Sequence, residues 1–148
     1  MPEKETLERA EEDKREGKSP STQAGEFVRE EIEHVREGKH GARSAKQAIA
    51  IGLSKARRAG VVLPAPEKGK TSEQAREQAK RDLKRGRKKT GNKPSAKRSR
   101  ASLNALKREG HTAASKTALS RQARRAATKR SAASRSRSAK KAADTRNK

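Results

Sequence analysis

SAKQAIAIGLSKARRAG, residues 44–60, is the one stretch of this chain in which apolar side chains are dense enough for a packed surface. Ser44 and Gln47 have the spacing of a capping box, in which Ser44 accepts from the Gln47 N–H and Gln47 reaches back to the Ser44 N–H. Gly60 suits the left-handed residue just past a helix end, with Val61 then placed to touch Ala56. Between these caps Ala45, Ala48, Ile49, Gly52, Leu53 and Ala56 fall on one helical face. Lys55, Arg57 and Arg58 crowd the C-terminal turn, where cations suit the negative end of the helix dipole.

Upstream, Ser21 or Thr22 is placed to cap a helix running to about Glu37. Phe27, Val28, Ile32 and Val35 line its apolar face, and Gly38 ends it. The short connection KHGAR (39–43) folds the two helices into a hairpin over about residues 22–60. Its expected core is Phe27, Val28, Ile32, Val35, Ile49 and Leu53. Val61, Val62 and Leu63 are placed to wrap its open end before Pro64 and Pro66 stop any helix.

Around this module the chain is nearly all polar. Residues 1–20 alternate Glu with Lys and Arg and carry little that is apolar beyond Leu7. This reads as an isolated charged helix or a disordered arm, broken at Lys18, Ser19 and Pro20. After a linker at 64–71, Thr71 and Gln74 repeat the capping spacing ahead of a helix over about 72–85, with Ala75, Ala79 and Leu83 as a thin stripe. The basic run KRGRKK (84–89) and the breakers Gly91 and Pro94 follow. Past Pro94 the chain is low-complexity Ala, Ser, Lys and Arg. One faint echo is present: Leu119–Ala126 (LSRQARRA) repeats Leu53–Ala59 (LSKARRA) with one insertion, and Arg108-Glu109-Gly110 repeats Arg36-Glu37-Gly38. If the echo is structural, 102–109 and 113–133 form a second hairpin around Leu103, Leu106 and Leu119; chance similarity in a biased composition explains it equally simply. Residues 134–148 read as disordered.

Composition sets the class. Hydrophobic residues are 28% and charged residues 40%, with one Phe and no Trp or Tyr. Such a chain buries too little apolar surface to offset the entropy of ordering all of it. The expectation is a mostly α protein with extensive disorder: a charged arm (1–20), a hairpin module (21–66), a basic linker or helix (67–92) and a basic tail (93–148) that can form further helices. The module is small enough that dimerisation or a protein partner is expected to help hold it.

Cysteine is absent, which excludes a disulfide framework and thiolate chemistry. No apolar run approaches a membrane span, and the N-terminus lacks the apolar core of a signal peptide. The expected location is therefore the cytoplasm, at the nucleoid in a bacterium. His34, His40 and His111 lack the clustering of a zinc motif and read as exposed, so no metal or other cofactor is expected. Glu30, Glu31, Glu33 and Glu37 read as a solvated helix face rather than an acid–base pair, since a hairpin this small offers no pocket to shift their pKa values. No phosphate loop or nucleophile motif is present, and no enzyme activity is expected.

Charge points to the partner. Residues 1–66 carry 13 basic and 12 acidic side chains, a net +1, whereas residues 67–148 carry 28 and 6, a net +22. That exceeds what solubility needs. Cations spaced through Ala and Ser track a phosphate backbone by releasing counterions. The expected nucleic-acid contacts are Arg43, Lys46, Lys55, Arg57 and Arg58 in the module; Lys84, Arg85, Arg87, Lys88 and Lys89 in the basic run; and Lys97, Arg98, Arg100, Arg121, Arg124, Arg125, Lys129 and Arg130 in the tail. Arg85-Gly86-Arg87 also begins an AT-hook, but Lys88 stands where that motif has proline. The lack of aromatics removes any stacking platform for single strands.

At Lys46–Gly60 (KQAIAIGLSKARRAG), preceded by EHVREGKHGARS, the sequence resembles a group of small basic bacterial proteins. These share a helical module followed by a Lys/Arg/Ala-rich tail and are commonly labelled DNA-binding. The tail is similar to the C-terminal part of linker histones, with more Arg and little Pro. The resemblance implies DNA binding, and the neutral hairpin with its strongly cationic tail makes the expectation a non-catalytic, largely sequence-non-specific DNA-binding protein, nucleoid-associated or histone-like. An RNA- or ribosome-associated protein is the alternative within that class. An adaptor that binds a protein partner through 22–63 is the alternative outside it.

Overall fold

A computed structural model describes residues 2–88 and 95–147. Seven α-helices run along them: α1 (Lys4–Arg15), α2 (Pro20–Arg36), α3 (Ala45–Arg58), α4 (Glu73–Lys88), α5 (Ala96–Lys107), α6 (Lys116–Thr128) and α7 (Ala132–Arg146). A single 3₁₀ turn, Thr112–Ala114, precedes α6. No strand forms among the described residues. None of their helices is long and apolar enough to cross a membrane.

The expected hairpin forms: α2 packs along α3 as the principal pair of the molecule. Both helices stop on a glycine past the cap, and at α3 the reason is visible. Gly60 takes φ 107°, its N–H donates to the Arg57 carbonyl, and the Val61 N–H donates to the Ala56 carbonyl. That is the Schellman arrangement. At the other end Ser44 Oγ accepts from the Gln47 N–H at 3.2 Å. The return bond of the capping box is displaced by one residue, because Gln47 Oε1 accepts from the Arg43 N–H at 2.6 Å.

The close approach of the pair is set by Gly52. A Cβ there would lie 2.6 Å from Val28 Cα and 2.9 Å from Val28 N. Two apolar clusters flank this crossing. One joins Ile32, Val35, Ala42 and Ala48 to Ala113 and Ala114, with Val28 and Leu119 against it. The other joins Ala10, Ala24, Phe27, Ala56 and Val61, with Leu53 and Leu63 against it. Of the six expected core residues, Phe27, Ile32 and Val35 are buried, whereas Val28, Ile49 and Leu53 are half-buried. Of the expected wrap, Val61 is buried, Leu63 is half-buried and Val62 is exposed. Leu53→Asp would bring a charge against Phe27 and Ala56. It is expected to cost about 1–3 kcal/mol, read as a lower midpoint in thermal unfolding followed by circular dichroism.

Several expectations are corrected. The N-terminal arm is a packed helix: α1 lies on α2 and buries Thr6, Ala10 and Asp13, while Leu7 stays exposed. Small side chains form this contact, so an apolar period could not reveal it. The break expected at Lys18–Pro20 is present, since α1 ends at Arg15, but Pro20 itself is the first residue of α2. Its missing N–H and fixed φ suit the first helical position, and Ser19 is the cap. Ser72, not Thr71, caps α4 through the Ala75 N–H. The extensive disorder expected of the tail is replaced by α5, α6 and α7. Ala, Leu, Arg, Lys and Gln are strong helix formers, and Ser115 and Ser131 each accept a capping N–H. The echo of the first hairpin, left open between a second hairpin and chance, is not matched by a second helix pair. Helices α5 and α6 do not pack as a pair, and Leu103 is exposed. Instead the segment between them docks on the first hairpin. The Gly41 N–H donates to the Leu106 carbonyl at 2.9 Å and the Ala42 N–H to the Gly110 carbonyl at 3.0 Å. Arg36 Nε donates to the Ala114 carbonyl at 2.9 Å.

Candidate nucleic-acid interface

Docking of 106–114 brings the start of α6 beside the start of α3. The cleft between them is lined by Arg43, Lys46, Thr117, Arg121, Gln122 and Arg125, with Ala113 at its floor. Two helix N-termini meet here, one capped by Ser44 and the other by Ser115. The first-turn N–H groups of a helix have no intrahelical acceptor, and the dipole favours an anion at that end. Arg43, Lys46, Arg121 and Arg125 add cations on the walls of the cleft. Lys116, Ser120 and Arg124 continue the basic surface along the adjoining face of α6. Such a cleft combines four cations with two helix N-termini, a combination suited to an anion.

The other expected contacts are distributed differently. Lys84, Arg85, Arg87 and Lys88 are exposed on the last turns of α4, and Lys97, Arg98 and Arg100 are exposed on α5. Lys129 and Arg130 are exposed beyond α6, and Arg130 donates to Ser134. Lys89, Gly91 and Pro94 lie outside the described residues. Arg85-Gly86-Arg87 is helical rather than extended. A Cβ on Gly86 would lie 2.0 Å from the Arg57 carbonyl oxygen, so that stretch is packed on α3.

Two expected contacts are structural instead. Arg57 is buried, and it donates from Nε to the Leu63 carbonyl and from Nη2 to the Pro64 carbonyl, each at 3.1 Å. Burial lowers its pKa, with the nearby Asp82 carboxylate opposing. Lys55 is largely covered and paired with Glu31. The sequence suggested one apolar face on α3, but α4 covers a second side and encloses Arg57. Arg58, by contrast, is exposed, with Nε 3.7 Å from the buried Asp82. Arg57→Ala is expected to cost about 1–3 kcal/mol of stability by leaving two carbonyls unpaired, with duplex affinity nearly unchanged once folding is corrected for. Paired melting and binding measurements check this.

The acidic face and the histidines also depart from expectation. Glu33 and Glu37 stand on the outer side of α2, but Glu30 and Glu31 are buried, at 4% and 0% exposure. His40 is buried and His34 is half-buried, and their rings meet edge to face with centroids 6.0 Å apart. The turn at Gly38 carries the chain back over the last turn of α2, which sets His40 above Glu31. Glu3 reaches this group from the start of α1. Hydrogen bonds from His34 and Lys39 hold its carboxyl below the usual range. Only the six-residue spacing of the two histidines across a glycine hinted at this arrangement.

A model for a family described only as of unknown function (DUF6496) matches residues 13–68. That segment runs from the end of α1 through the hairpin and into the linker. No curated protein and no solved structure matches the chain.

Proposed function

We propose that the chain is a non-catalytic protein that binds double-stranded DNA largely without regard to sequence, in a nucleoid-associated role. The observation that carries this reading is the cleft of Arg43, Lys46, Arg121 and Arg125 at two converging helix N-termini, where a tail half of net charge +22 meets the hairpin. The hairpin supplies a rigid seat for two of the cations, and the docked tail supplies the other two. Exposed cations on α4, α5 and α6 extend the phosphate-binding surface beyond the cleft. The RNA-binding and adaptor readings remain as competitors, the first distinguished by competition between duplexes of the two kinds.

The test replaces Arg43, Lys46, Arg121 and Arg125 with Ala together. Phosphate contacts position a protein and carry no base information, so affinity falls on every duplex alike. The slope of log affinity against log salt falls by about 0.9 for each phosphate no longer neutralised. An unchanged slope in this variant would remove the cleft from the interface.

A further inference from the structure

The buried group beside the hairpin turn has the chemistry of an unfilled cation site. Glu31 Oε1 is taken by Lys55 Nζ. Glu31 Oε2 is buried and makes no hydrogen bond, although His40 Nε2 lies 3.1 Å away. Each imidazole ring is engaged on its far side. His40 Nδ1 is 2.9 Å from the Gly41 carbonyl, and a carbonyl only accepts. Nδ1 therefore carries a proton and donates to that carbonyl, and Nε2, although 3.1 Å from Glu31 Oε2, is not aligned to donate to it. His34 repeats the pattern. Its Nε2 is 3.0 Å from Glu3 Oε1, which accepts, so its bare nitrogen is Nδ1, 3.8 Å from Glu31 Oε1. Both rings are thus tied outward by an acceptor, the arrangement that orients imidazoles toward a metal ion.

Charge agrees. Among the described residues, the lysines paired with Glu3, Glu30 and Glu31 are Lys39, which Glu37 shares, and Lys55, so three carboxylates meet two ammonium groups. We propose that Glu31, His34 and His40 bind a divalent transition ion of the zinc type, through one atom each; their donor atoms lie within 4.8 Å of one another. Imidazole and carboxylate donors suit zinc. Three protein ligands leave one position open, on the side where His34 is partly exposed. The ion would join α2 to the turn that follows it.

The test uses the full chain, stripped with a chelator and titrated with Co²⁺ alone, then with Zn²⁺. One Co²⁺ binds per chain with the visible absorption of a tetrahedral site, and Zn²⁺ displaces it. His34→Gln and His40→Gln each weaken binding by at least about 10-fold. Glu3→Ala, which removes the acceptor that orients His34 and also frees Lys39, weakens it by about 10- to 100-fold. His111→Gln, on an exposed residue outside the group, changes nothing. Circular dichroism confirms that each variant keeps its helices. If His40→Gln unfolds, ring-nitrogen NMR of the wild type decides. Zinc must then move Nδ1 of His34 and Nε2 of His40 and leave His111 unmoved. No cobalt band, an equal weakening in His111→Gln, or unmoved ring nitrogens would overturn the site.

Discussion

Raising salt from about 50 to 200 mM is expected to weaken binding to a DNA duplex by about 10³-fold or more. The size of this effect follows from where the cations stand. Those in the cleft and along α4, α5 and α6 are open to solvent and free to release counterions, whereas Lys55 and Arg57 are engaged inside the fold and contribute none of the slope. AT-rich and GC-rich duplexes of equal length are expected to bind within a few-fold of each other. An A-tract preference would instead require arginines extended into a narrow minor groove, and Arg85 and Arg87 sit on a helix packed against α3. A salt titration on the two duplexes reads both outcomes. A shallow slope on both would end the DNA reading and favour the adaptor.

The second large effect concerns Gly52. An exposed mid-helix glycine replaced by alanine ordinarily gains up to about 1 kcal/mol. Gly25 in α2, with open space around it, is expected to follow that rule. Gly52 is expected to reverse it. Its Cβ would press on the backbone of Val28, which belongs to a helix and cannot give locally. Gly52→Ala is expected to destabilise by about 1–3 kcal/mol, and Gly52→Val by more, enough to open a hairpin with so small a core. Urea unfolding of Gly25→Ala and Gly52→Ala side by side checks this. Parallel gains in both would show that α2 and α3 do not cross at that glycine.

What could be read from the sequence was what depends on neighbours a few residues away. Ser44, Gly38 and Gly60 bound their helices through bonds spanning three to five residues, and each was legible. The apolar face of α2 was legible because Phe27, Ile32 and Val35 are large. The docking of α1 was not, since Thr6, Ala10 and Asp13 carry no apolar period. Lys55 and Arg57 looked like surface cations because their partners, Glu31 and the 63–64 carbonyls, are defined only by the fold. Glu30 and Glu31 looked solvated for the same reason. The phosphate cleft was legible in residue type but not in place: Arg43 and Lys46 meet Arg121 and Arg125 only because 106–114 docks.

That docking also fixes an order of events in folding. The hairpin closes through a turn of a few residues, on the fast timescale of local contacts. The bond from Arg36 to Ala114 joins residues 78 positions apart. Its segment must close a long loop, whose entropy is recovered by few apolar contacts. The hairpin should therefore form first and offer its turn, Gly41 and Ala42, as the template on which the tail settles last. By the same ordering, hydrogen exchange should find the tail detaching while α2 and α3 are still paired.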